Sequence, residues 1–289
     1  MLKQRILTAL VLAPSIIAAI FYLPIEYFAY LMLFIMAIGA WEWGPFMGLT
    51  TKIKRAVFTL TNIVLIGLLW FLIPLNSMWS STGELNEIAV WVLWASAGWW
   101  VLSALLTGVY PKLNNHWAKS TVVRALFGYL TLLPTWVAFV ALRTNDYIQS
   151  PLLGAQLIMF LFLMVWSADI GAYFVGKSIG KHKLLPKVSP GKTIEGALGG
   201  TITACIFMAT AGVILGWHQQ QLLTVLAVTA VITIISVLGD LSESMFKRQA
   251  GIKDSGSILP GHGGILDRID SLTATAPIYA LCYFYLYIN

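Results

Sequence analysis

Residues 239–271 read GDLSESMFKRQAGIKDSGSILPGHGGILDRIDS, a polar tract in a chain that is otherwise mostly apolar helix. Asp240, Asp254, Asp267 and Asp270 lie here among Lys247, Arg248, Lys253 and Arg268. At helical spacing, positions 240, 244, 247 and 248 share a face, so Asp240, Ser244, Lys247 and Arg248 form one stripe. A turn, Pro260-Gly261-His262-Gly263-Gly264, then brings the chain back. Its glycines allow positive φ and close approach of backbone to a ligand. Asp267 and Asp270 fall on one helical face and can share a hard cation. Mg²⁺ is usually held by carboxylates, waters and substrate phosphates. A lone D-x-x-D spacing says little. Beside Asp240 and the nearby cations it points to phosphoryl or nucleotidyl transfer, which needs positive charge around an in-line displacement. Structural readings stay open for the stripe (an amphipathic surface segment) and for His262.

The background of this tract sets the fold class. Apolar residues make up 58% of the 289 residues and charged residues 10%. A soluble domain averages about 25% charged. Mean hydropathy is +0.81. Such a chain cannot cover a water-facing surface and reads as an all-α polytopic membrane protein. Its basic pI does not imply nucleic acid, because in a membrane protein the placement of charge matters more than its sum. Cys205 and Cys282 sit in apolar runs with neither metal-ligand spacing nor a disulfide framework.

A membrane helix needs about 20 apolar residues. About nine candidates are found, near 5–23, 26–43, 57–75, 88–109, 122–142, 152–175, 196–216, 222–241 and 271–288. The first reads as a retained helix, since its apolar run exceeds a signal-peptide core. With the N-terminus cytoplasmic, 17 of the 18 Lys and Arg residues fall on the cytoplasmic side and only Arg143 falls outside. This is the inside-positive pattern. It puts the C-terminus outside and both long polar loops, near 176–195 and 242–270, in the cytoplasm. The chain reads as one membrane domain, with residues 1–121 as scaffold helices and 122–289 as catalytic helices and cytoplasmic loops.

The first loop carries Lys177, Lys181, Lys183, Lys187 and Lys192. Attraction to anionic lipid accounts for Lys181, Lys183 and Lys187. Ser189-Pro190 suggests a helix N-cap followed by Pro at the first helical position. A helix N-terminus there, with Lys192 and Thr193, would suit a phosphate. A P-loop is excluded, because Pro186 stands where its first Gly is required. Asp169 lies inside an apolar run and should face a cavity or a partner. Glu42 ends the second span, where a solvated or Arg-paired role is expected. Glu195 sits in the first turn of a span, where the helix dipole favours it. A transporter using Asp169 and Asp240 as coupling sites is the competing reading.

Ser244, Lys247-Arg248, Lys253-Asp254, Gly256, Leu259-Pro260, His262-Gly263-Gly264, Asp267-Arg268 and Asp270 follow one another as in a specific signature. By them the chain resembles the phosphatidate cytidylyltransferase (CDP-diacylglycerol synthase) family of bacteria. Asp169 to Lys177 and Lys187 to Thr193 carry two further elements of that resemblance. Gly191 departs from it, since relatives often have Lys there, which leaves phosphate contact to Lys192. The resemblance implies CTP and phosphatidate as substrates, CDP-diacylglycerol and pyrophosphate as products, and a Mg²⁺ requirement, with K⁺ completing a mixed-metal centre. It implies Asp240, Asp267 and Asp270 as metal ligands, and Asp169, in the wall of the site, is a further candidate ligand. Asp240, Asp267, Lys247 and Arg268 would be catalytic. Ser244, Arg248, Lys192, Thr193, Ser189, Lys177, His262, Gly263 and Gly264 would bind substrate. Membrane lipids and a second copy in a homodimer are the implied partners, with no role for nucleic acid.

Overall fold

The computed structural model describes residues 2–287, except for the side chains of 2–7, 9, 115, 116 and 287. The expected cytoplasmic charges Lys3 and Arg5 lie outside the described side chains. The helices are α1 (Leu2–Tyr22), α2 (Ile25–Trp43), α3 (Lys52–Leu72), α4 (Glu87–Val109), the single turn α5 (Asn114–Trp117), α6 (Thr121–Thr144), α7 (Leu153–Ile179), α8 (Ile194–Ile214), α9 (Gln219–Ala250) and α10 (Leu266–Tyr287). Nine of these are long, in the places where the apolar runs put spans. Among the described residues, seven, α2 to α4 and α6 to α9, are long and apolar enough to cross a membrane.

Helix α6 is the centre of the packing. From Leu132 to Leu142 nearly every side chain is buried, and Trp136 donates from Nε1 to the Ala29 carbonyl of α2 at 3.1 Å. Arg143, the one cation expected outside, is buried at the end of α6. Its guanidinium donates to the carbonyls of Leu23 at 3.2 Å and Pro151 at 3.5 Å. An Arg that satisfies carbonyls in this way acts as a packing element.

Helices α7 and α8 pack closely because small residues face each other. A Cβ on Gly200 would strike the Ala168 carbonyl and the Ala172 methyl, and one on Gly199 would enter Val175. Membrane helices associate through such small-residue faces.

Two expectations need correction. Ser189 is not a helix N-cap. Residues Ser189–Thr193 form a strand, β2, paired antiparallel with β1 (Lys183–Leu185), Leu185 opposite Ser189 and Lys183 opposite Thr193. The chain is therefore helical apart from this hairpin. Thr193 is the cap of α8, accepting the Gly196 N–H at 3.1 Å. Glu195 fastens the hairpin to α8 by accepting the N–H groups of Lys181 and His182, both at 3.1 Å, in addition to sitting in a favourable first turn. The second correction concerns α9. Its span was read to end near 241, but the helix runs on to Ala250 and stops at Gly251, whose φ of 70° closes it. The polar stripe is thus helical, and only 251–265 forms the returning turn.

Candidate active site

A cleft of about 550 Å³ opens between α7, α8, α9 and the hairpin. Its apolar wall is built from Ala168, Ala172, Gly176, Gly196 and Gly200, so the α7–α8 contact that requires small residues also leaves the space. Its charged groups come from three elements: Asp169 and Lys177 from α7, Lys192 from β2, and Asp240 from α9, with hydroxyls such as Thr193 and Thr201 beside them. Lys192 Nζ meets Asp240 Oδ2 at 2.7 Å, and both side chains stay partly exposed. Ser244, one turn along α9, donates to Asp240 Oδ1 at 3.3 Å. Asp169 is exposed to the cleft and lies in the electrostatic field of both Lys192 and Asp240. Lys177 lies over the Tyr173 ring, its Nζ 5.6 Å from the ring centroid. Two carboxylates and a lysine around an open cleft can hold a hard cation and a phosphate together.

Asp267 is brought elsewhere. Its Oδ1 accepts from Lys247 Nζ at 2.8 Å, and its Oδ2 accepts the N–H groups of Ser255 at 2.9 Å and Gly264 at 2.8 Å. Lys247 also donates to Glu243 Oε2 at 2.9 Å, and all three side chains are largely buried. Asp267 and Asp270 therefore do not share a cation through free oxygens, although they lie near one helical face. Asp270 accepts the Ser271 N–H at 2.8 Å and is an electrostatic neighbour of Asp240 and Glu243. It links the buried junction to the cleft. Glu243 was missed in the sequence, although it stands three residues after Asp240 and four before Lys247, on the same stripe.

Arg268 points away from this junction. Its Nε and Nη2 donate to the His262 carbonyl at 2.9 and 2.7 Å. Arg268 and His262 border a second, apolar cleft of about 300 Å³ whose walls come mainly from α1, α2 and α7. Arg248 donates to the Val188 carbonyl at 3.2 Å, tying the end of α9 to the hairpin turn. Ser189 is partly buried in that hairpin. In the glycine turn, Gly263 takes a φ of 83°, a left-handed conformation that other residues adopt at a cost. Gly264 lies so close to Ser255 and Glu42 that a side chain there would collide with both.

Glu42 also departs from expectation. It is buried, 2% exposed, and among the described residues no ion pair is formed by it. Its carboxylate accepts the Leu266 N–H at 2.8 Å, the Ile265 N–H at 3.2 Å and the Ser255 hydroxyl at 3.3 Å. Nothing in the local sequence signals this, because the donors lie more than 200 residues away.

Among the described residues, no group of three His, Cys, Asp or Glu side chains comes together as a ready metal-ligand set. Mg²⁺ is commonly held by one or two carboxylates with waters and substrate phosphates rather than by an all-protein cage. Asp169 and Asp240 in the open cleft fit this description. Asp267, with both oxygens engaged by Lys247 and the turn, does not fit as it stands.

Known proteins repeat the whole chain. A phosphatidate cytidylyltransferase of Haemophilus influenzae is 40% identical over 292 aligned residues, covering 99% of each chain. One from Pseudomonas aeruginosa is 42% identical, covering 97% of this chain and 96% of its own. One from Bacillus subtilis is 33% identical, covering 96% and 95%. The stripe, turn and cleft thus lie within a similarity that runs from end to end. Residues 3–286 match the cytidylyltransferase family, and the chain belongs to it.

Proposed function

We propose that this protein transfers CMP from CTP to phosphatidate, forming CDP-diacylglycerol and pyrophosphate, and that the transfer takes place in the cleft of Asp169, Lys192 and Asp240. The observation that carries the site is the Lys192–Asp240 pair, with Asp169 beside it, inside a space of about 550 Å³. A phosphate oxygen of phosphatidate attacks the α-phosphorus of CTP. The new P–O bond forms as the bond from the α-phosphorus to the oxygen bridging to the β-phosphorus breaks, and pyrophosphate leaves. A phosphate monoester is already largely ionised at pH 7, so no strong general base is needed. The chief demand is to bring two anions together, and Lys192 and Lys177 supply positive charge for it. Mg²⁺, when held by Asp169 and Asp240, would add Lewis-acid charge at the phosphates.

CTP is water-soluble and phosphatidate lies in the bilayer. The cleft adjoins the hairpin at one end and small-residue helix faces at the other, so both substrates can reach it. We place this end of the helices at the cytoplasmic face of the inner membrane, following the clustering of Lys and Arg there. Lys192→Ala tests the assignment. Removing the lysine that balances Asp240 is expected to raise the KM for CTP by about 10- to 10²-fold, the effect of one lost charged hydrogen bond of about 1.5–3 kcal/mol. The KM for phosphatidate should change much less. Equal effects on both, or none, would return this loop to lipid anchoring.

A further inference from the structure

We propose that Glu42 is a positioning residue for this reaction, holding the glycine turn and the first turn of α10 so that Asp267 and Asp270 keep their places against α9. The proposal rests on the transferase reading.

A buried carboxylate is costly unless its oxygens are satisfied. Glu42 is satisfied by N–H groups that would otherwise be orphaned. Ile265 and Leu266 stand at the start of α10, where helix N–H groups lack partners within the helix. Glu42 therefore acts as the cap of α10, supplied by a different helix, and its negative charge favours that end of the dipole. The third donor, Ser255, comes from the far strand of the turn. A Cβ on Gly256 or Gly264 would run into the Glu42 carboxylate, so these two positions must stay small for it to enter.

Asp267 grips the same turn. The residues whose N–H groups it accepts, Ser255 and Gly264, are those that lie against Glu42. Asp267 in turn holds Lys247 on α9, two turns beyond Asp240. A continuous chain of contacts thus runs from α2, through the turn, to the helix that carries Asp240. Residues 1–121 are then more than scaffold, because one of their side chains sets the geometry of the site. A displacement of about 1 Å in a reacting constellation can cost about 10²-fold in rate.

The test compares Glu42→Gln, Glu42→Asp and Ile66→Ala, each purified in lipid nanodiscs. Ile66 is fully buried in α3, away from the turn, and serves as a control for loss of stability alone. Glu42→Gln is expected to lower kcat by about 10²-fold while both KM values stay within about twofold, because the substrates' own contacts remain. Glu42→Asp should recover part of that loss. Ile66→Ala should lower the unfolding midpoint at least as far and keep kcat. Amide exchange over 255–266 should rise in Glu42→Gln and stay unchanged over 183–193. A Glu42→Gln variant with wild-type kcat and wild-type exchange in the turn would overturn the proposal. So would an Ile66→Ala variant that loses as much kcat as Glu42→Gln for the same fall in midpoint. If the wild-type protein transfers no CMP, the reaction assignment fails instead, and the exchange experiment still decides whether Glu42 holds the turn.

Discussion

Asp240→Asn is expected to slow CDP-diacylglycerol formation by about 10²–10⁴-fold, equivalent to roughly 3–5 kcal/mol of transition-state stabilisation. The substitution removes one charge with almost no change of shape. Asp240 faces the cleft, paired with Lys192 and Ser244, where two phosphates must be neutralised. The same change should hardly affect folding. The Lys192–Asp240 pair is partly exposed, and such pairs contribute about 0–1 kcal/mol to stability. Rate and unfolding midpoint measured on one preparation decide the matter. A fall in midpoint matching the fall in rate would make Asp240 a structural residue, and near-normal activity would remove it from the site.

Asp267→Asn is expected to behave in the opposite way. Its carboxylate is buried and joins Lys247 to the N–H groups of Ser255 and Gly264. Removing one partner of a buried ion pair costs about 3–5 kcal/mol, because the other charge is left uncompensated. Glu243 offsets part of this, since it also accepts from Lys247. The variant should therefore unfold at a lower temperature and reach the membrane in smaller amounts, and the kcat of the folded fraction should fall as well, because Asp267 joins the turn to Lys247 on α9. A wild-type midpoint with a raised Mg²⁺ requirement would contradict this and return Asp267 to the role of metal ligand that the resemblance implies.

The two aspartates differ in a way that spacing alone could not reveal. Both belong to the same polar tract, and both stand near cations. What separates them is which backbone returns beside them, and that is set by the path of residues 251–265. The apolar spans were legible because a bilayer demands about 20 apolar residues per helix. The packing role of Arg143 was not legible and became clear only from the Leu23 and Pro151 carbonyls it contacts. The helical continuation through Arg248 was legible from the spacing of its polar stripe, but its stop at Gly251 was not. The hairpin was misread because Ser-Pro suits both an N-cap and an edge strand. Asp169 was flagged by its cost in an apolar run, and it does line the cleft. Glu42 carried no comparable signal, because a carboxylate at a membrane interface looks the same whether it meets water or a distant turn.

The central claim is that CMP passes from CTP to a lipid phosphate in a cleft on the cytoplasmic side. Sealed membrane vesicles of both orientations, containing the protein and phosphatidate, test it most directly when supplied with CTP labelled at the α- or the γ-phosphorus. In inverted vesicles the α-label should enter the lipid fraction and the γ-label should appear in pyrophosphate, both only with phosphatidate present. In right-side-out vesicles neither should happen until the membrane is opened. Label that accumulates inside vesicles without entering lipid, or incorporation in sealed right-side-out vesicles, would contradict the account.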